Sequence, residues 1–216
     1  MNRLRDRLSA CLFSYIYNAK ALECLDIIGI PNRKIREQKG ERRTMKQVDF
    51  NIFLIGFMGC GKSTIAKALQ DKLGMDIMEM DTEIVKRQGM SIAEIFEKHG
   101  ETYFRDVESN LLKELKSEDH VIVSCGGGVV IRSENSDYMK KSGKVVLLTA
   151  TPETVYERVK DSKDRPILNQ DMSVAHIANL MEKRRLMYQN AAEVTIQTDG
   201  KTAEAIADEI IEKITE

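Results

Sequence analysis

Between Gly56 and Thr64 the chain reads GFMGCGKST. The spacing Gly56-x-x-x-x-Gly61-Lys62-Ser63 is that of a phosphate-binding loop, and the chemistry follows from the residue types. Glycines let the backbone turn tightly and leave its N–H groups open to approach, so successive donors converge on phosphate oxygens. Lys62 adds a point charge for β- and γ-phosphates, and the Ser63 hydroxyl is a hard ligand suited to Mg²⁺. A helix opening near Gly61 would add its positive end. The expectation is a nucleotide site built from Gly59, Cys60, Gly61, Lys62, Ser63 and Thr64. Three outcomes remain open at this point: a small-molecule kinase, a nucleotide hydrolase or switch, and a module that uses nucleotide structurally.

A second group of residues bears on that choice. Asp81 follows the apolar run MDIMEM, Gly126, Gly127 and Gly128 follow VIVSC, and Arg105 and Glu108 stand three apart between those runs. Each has a plain alternative: a helix cap, a tight turn and a surface ion pair worth little. Three consecutive glycines carry a high entropic cost, however, and expose a row of donors suited to an anion or a polyol.

The elements that would position these residues alternate. DFNIFLIG, MDIMEMD, HVIVSCGGG, KVVLLTA and EVTIQT read as strands. Between them, KSTIAKALQDKL has helical spacing, SIAEIFEKHG carries Ser91 and Glu94 in capping-box positions and closes on Gly100, and a further helix runs from about 101 to 115. Later helices are expected near 134–141, after Thr151 and Pro152, at about 173–189, and over 202–214. The polar stretch 161–171 lacks periodicity and reads as a mobile loop. Continuous apolar strands alternating with helices predict an α/β fold, three layers with a five-stranded parallel sheet covered on both faces, whose ligands sit at the strand ends.

The chain has 216 residues, 42% hydrophobic and 31% charged, and a net charge of −1, which gives no global attraction to nucleic acid or membrane. The charge is uneven. Residues 1–44 hold ten Lys/Arg against five Asp/Glu, leaving 23 against 29 in the remainder. That first stretch reads as a basic extension, poorly structured or small helical, ahead of a domain spanning 45–216. A transit peptide and a membrane-surface helix are the targeted readings of it, the first weakened by Asp6, Glu23 and Asp26. The four cysteines show no CxxC spacing, and Cys60 lies inside the glycine loop, so a reducing, cytoplasmic setting is expected. No apolar run approaches the roughly 20 residues of a membrane span. His99, His120 and His176 are scattered and suggest no metal site, and Cys60 and Cys125 read as packing residues rather than nucleophiles.

From Met45 onward the chain resembles the shikimate kinases, P-loop kinases related to the nucleoside monophosphate kinases. The stretches that carry the resemblance are GFMGCGKST, MDTEIVKRQGMSIAEIFEKHGETYFRDVE, SCGGGVV, RPIL and MEKRRLMY, in order and at family-like spacing. The resemblance implies a P-loop kinase fold with a mobile lid at about 161–171, ATP and Mg²⁺ as cofactors, shikimate as small-molecule partner, and a monomer acting without nucleic acid or membrane. It also implies residue roles. Arg105 and Arg184 match arginines that hold the substrate carboxylate, a task for which a guanidinium fork is better suited than an ammonium. Asp81 would orient the attacking hydroxyl and accept its proton, Gly126, Gly127 and Gly128 would line the substrate, and Glu108 would hold Arg105 in place. Lys62 and Arg165 would supply charge to the transferring phosphate, Arg165 from the lid, while Arg158 and the turn TDGKT would lie by the adenine.

One departure from the family pattern concerns the metal. Glu79-Met80-Asp81 replaces the usual Asp-x-Asp, so the longer Glu79 either shifts the metal geometry or reaches Mg²⁺ through a rearranged water, while Ser124 and Cys125 before the glycines are a family-like variant of the usual magnesium-side motif. Ser63 is therefore the expected metal ligand. The rival readings are a kinase of another small polyol acid such as gluconate, and a nucleotide-binding module without catalysis.

Overall fold

The computed structural model describes residues 48–116, 119–160 and 173–216. The expected extension 1–44, its boundary at Met45, and the loop 161–171 with Arg165 lie outside the described residues. Five parallel strands, β1 (Asn51–Ile55), β2 (Asp76–Glu79), β3 (Val121–Ser124), β4 (Gly143–Thr149) and β5 (Val194–Gln197), form one sheet in the order β2-β3-β1-β4-β5. The helices are α1 (Lys62–Leu73), α2 (Met80–Gln88), α3 (Ile92–Glu114), α4 (Ser133–Ser142), α5 (Pro152–Val159), α6 (Val174–Ala191) and α7 (Ala203–Thr215).

Strand alternation distributes the apolar side chains between two cores. Ile52 and Leu54 of β1, Ile122 of β3 and Val146 and Leu148 of β4 face one side, where α1 and α7 cover them with Ile65, Leu69, Ile206 and Ile210. Phe53, Ile55, Val123, Val145 and Leu147 face the other, under Ile84 of α2, Leu111 and Leu112 of α3, Met139 of α4 and Tyr188 of α6. Every residue of β1 is buried, as a central parallel strand requires. The helix after β1 and the helix after β3 lie on opposite faces, so the loops leaving these neighbouring strands diverge and open a crevice at their carboxyl ends.

Asn51 is the polar exception in β1. Its amide donates to the carbonyls of Lys116 (2.7 Å) and Ser142 (3.0 Å), and its Oδ1 accepts from the Val121 N–H at 2.9 Å. A fully buried amide would be costly unpaired, and these bonds instead tie the start of β1 to the chain entering β3 and β4.

Local signals are realised with two differences. The Ser91–Glu94 capping box is present, and Gly100 breaks the helical geometry of α3 with φ 81° and ψ 171°, dividing it into the two expected segments. The second strand is shorter than the expected 75–81, because α2 begins at Met80 directly after β2 and takes Asp81 into its first turn. A short 3₁₀ turn, Val129–Ile131, follows the glycine row. Among the described residues no helix is long and apolar enough to cross a membrane.

Candidate active site

The loop after β1 has the conformation its glycines predict. Gly61 adopts a left-handed φ of 95° and Lys62 begins α1 immediately after it. Gly56 has φ 140° and packs so closely on β4 that a Cβ there would lie 2.3 Å from the Leu148 carbonyl oxygen. Lys62 is folded over the loop, its Nζ donating to the carbonyls of Gly56 (2.9 Å) and Phe57 (3.1 Å). Cys60 is buried and its N–H donates to the Phe57 carbonyl. Burial pushes its thiol above the usual range, with Lys62 opposing, so the side chain is a neutral packing group. Arg158, on α5, donates from one Nη1 to the Gly59 carbonyl (3.1 Å) and to Thr198 Oγ1 (3.2 Å), tying the loop to the turn 198–202.

Opposite the loop, residues from α2, α3 and the segment after β3 converge. Arg105 is 6% exposed and Glu108 is fully buried, and Arg105 Nη1 donates to Glu108 Oε2 at 2.8 Å. This is no surface pair. Arg105 Nε and Nη2 also donate to Glu101 Oε1, at 3.3 and 3.1 Å. Burial pushes the Glu108 carboxyl above its ordinary value; Arg105 pulls it back and the nearby Asp81 charge adds to the rise. Removing Arg105 would leave the buried Glu108 carboxyl without its bonded cation, at a cost of about 3–5 kcal/mol, whereas without Glu108 the guanidinium keeps Glu101.

The glycine row explains itself by what surrounds it. A Cβ on Gly126 would lie 2.8 Å from Glu108 Oε1 and 2.9 Å from Asp81 Oδ1, and one on Gly128 would lie 2.4 Å from both terminal nitrogens of Arg105. Two carboxylates and a guanidinium press against this backbone, and a side chain has no room. Gly127 differs, since a Cβ there would make only ordinary contacts. Its carbonyl accepts from Arg184 Nη1 at 3.3 Å and from the Tyr188 hydroxyl, both on α6.

One cleft of about 550 Å³ joins these parts. Gly59, Cys60, Gly61, Lys62, Ser63 and Thr64 form one wall, Glu79, Asp81, Ser124, Cys125 and Gly127 the other, and Arg158, Thr198 and Lys201 the end. Gly126, Gly128, Arg105 and Arg184 do not line it; they stand behind Gly127 and Asp81 through the contacts above. Asp81 is not the helix cap considered from sequence: Glu79 holds the cap position, and Asp81 sits in the first turn of α2, where a negative charge is favoured. Cys125 is buried and burial pushes its thiol up, which leaves it a packing residue.

Sequence reasoning passed over Tyr188 and Asn51. Tyr188 stands four residues after Arg184, a spacing that places both on one helix face and could have flagged it. Asn51 gives no such signal, since its partners lie 65 to 91 residues away.

Comparison with known proteins agrees with this geometry. A family model described as shikimate kinase matches residues 58–215. The shikimate kinase of Persephonella marina is 42% identical over 164 residues, covering 76% of this chain and 98% of that protein. That of Thermodesulfovibrio yellowstonii is 40% identical over 163 residues, covering 76% and 94%. Among solved structures, the shikimate kinase from Acinetobacter baumannii in complex with shikimate superposes with a TM-score of 0.73 at 32% identity, covering 79% of this chain and 94% of that one. The shikimate kinase from Aquifex aeolicus gives 0.66 at 39% identity, covering 76% and 96%. With the phosphate loop, Asp81 and Gly127 meeting in one cleft of a P-loop kinase fold, the chain belongs to the shikimate kinase family.

Proposed function

We propose that the protein transfers the γ-phosphoryl group of ATP to the 3-hydroxyl of shikimate, giving shikimate 3-phosphate and ADP on the route to aromatic amino acids. The observation that carries this reading is one cleft lined both by the phosphate loop and by the Asp81 carboxylate with Gly127, the middle of the glycine row. A hydrolase or a structural nucleotide site has no use for the second wall. The relative from A. baumannii is in complex with shikimate, which supports the acceptor assignment.

Phosphoryl transfer gains most of its rate from positioning and charge neutralisation. The bond between the acceptor oxygen and phosphorus forms as the bond to the β,γ-bridging oxygen breaks, and the hydroxyl proton passes to Asp81. Lys62 leaves its own loop's carbonyls for the phosphates, and Arg158 lies by the adenine with the turn 198–202. Arg105 and Arg184 hold the shikimate carboxylate, Glu108 fixes Arg105, and the N–H groups of Gly126–Gly128 face the ring. Arg165, outside the described residues, would add positive charge for the transferring phosphate.

The cleft suits Mg²⁺. Its lining includes the hard oxygens of Ser63 and Glu79, and among the described residues no group of three or more His, Cys, Asp or Glu forms a cage. Ser63 would bind directly and Glu79 through water, with phosphates and water completing the shell. Bound there, the ion neutralises phosphate charge. The enzyme acts as a cytoplasmic monomer.

The test is ADP release measured in parallel with shikimate, gluconate and nucleoside monophosphates. Turnover with shikimate alone is expected. Turnover with another acceptor, and none above the ATP background with shikimate, overturns the assignment.

A further inference from the structure

α6 presents two donors to one atom. Arg184 and Tyr188 both bond to the Gly127 carbonyl oxygen, one turn apart on the same helix face. Their surroundings differ. Arg184 is half-buried, whereas Tyr188 is 5% exposed and packs in the core beside β1 and β4. Tyr188 is thus fixed from the interior, and burial, with Arg184 opposing, raises its phenol to about 12, so it remains a protonated donor. The described chain has no cis peptide, and in a trans peptide the N–H points opposite to the C=O. Holding the Gly127 carbonyl against α6 therefore turns the Gly128 N–H away from α6.

We propose that Tyr188 is a positioning residue for the acceptor: it anchors the Gly127 carbonyl from the core and keeps that carbonyl paired when Arg184 turns to a carboxylate. The inference rests on the reading of Arg184 as a ligand of the shikimate carboxylate. A carbonyl that lost both donors would resist the release of Arg184, and the cost would fall on acceptor binding rather than on nucleotide binding.

Tyr188→Phe keeps the ring and removes only the hydroxyl. KM for shikimate and for ATP, kcat and Tm are measured for the parent enzyme, Tyr188→Phe, Arg184→Ala and the double variant. Tyr188→Phe is expected to raise the shikimate KM about tenfold, to move the ATP KM less than about twofold, and to add little once Arg184 is alanine. A lower Tm with an unchanged shikimate KM, while Arg184→Ala raises that KM, overturns the role of Tyr188 alone. An equal further rise in the Arg184→Ala background overturns it as well, because Tyr188 would then act without Arg184. An unchanged KM in Arg184→Ala itself overturns the reading of Arg184. If Tyr188→Phe melts too low for kinetics, Tyr188→Met, apolar and able to fill an irregular space, carries the same comparison.

Discussion

The two sides of the cleft are assembled differently. The phosphate wall comes from one continuous loop, with Gly59–Thr64 presenting mainly backbone groups and one lysine, and the helix it opens is covered by the core under α1 and α7. The acceptor side gathers Asp81 from α2, Arg105 and Glu108 from α3, the glycine row after β3, and Arg184 and Tyr188 from α6. A wall made of backbone depends on conformation and tolerates changes in the side chains around it. One made of converging side chains depends on each of them, and on the glycines that leave them space.

Substitutions on the acceptor side should separate these cases most sharply. Asp81→Asn should lower kcat roughly 10²–10⁴-fold while calorimetry shows ATP binding within about twofold of the parent. If turnover survives, the acceptor side does not supply the base. Arg184→Ala should raise the shikimate KM roughly 10- to 100-fold and leave the ATP KM in place, the loss expected for a charge-assisted contact. A parallel rise in both constants would mean that the two sides are not independent.

Neighbouring glycines offer a finer contrast. In Gly128→Ala the methyl meets the Arg105 guanidinium, which Glu101 and Glu108 hold in place, so overpacking of about 1–3 kcal/mol and a Tm loss of roughly 4–10 °C are expected. Gly127→Ala meets only ordinary contacts, and its Tm should stay within about 2 °C of the parent. Equal losses would show that the row is constrained by backbone conformation rather than by the groups packed on it. The smallest effect belongs to the phosphate wall. Cys60→Ala should change the ATP KM by less than about twofold, since the neutral thiol contributes packing while the N–H stays in place; a larger change would give that wall a side-chain role.

The same contrast governs what could be read before folding. The loop and the Ser91–Glu94 box are local, so their chemistry is written in adjacent residues, and the five strands follow from apolar runs. Arg105 and Glu108 were ambiguous because an i, i+3 pair looks alike on a surface and in a core, and only packing from the glycine row decides. α2 was not separated from β2 because its cap is Glu79, whose side chain makes no capping bond, and no Ser, Thr or Asn announces the start. The partner of Tyr188 is a backbone oxygen 61 residues away, which the stretch MEKRRLMY by itself does not reveal.

Asn51 carries a consequence for how the chain is made. Its three bonds reach residues 65, 70 and 91 positions later, and β1 has hydrogen-bonded neighbours only in β3 and β4. During synthesis from the N-terminus, the strand that leads into the phosphate loop emerges before any partner for its buried amide exists. β3 can pair one edge of the strand once Val121–Ser124 has emerged, but the third Asn51 bond and the other edge wait for Ser142 and β4, so the centre of the sheet is completed only after about two thirds of the chain has been made.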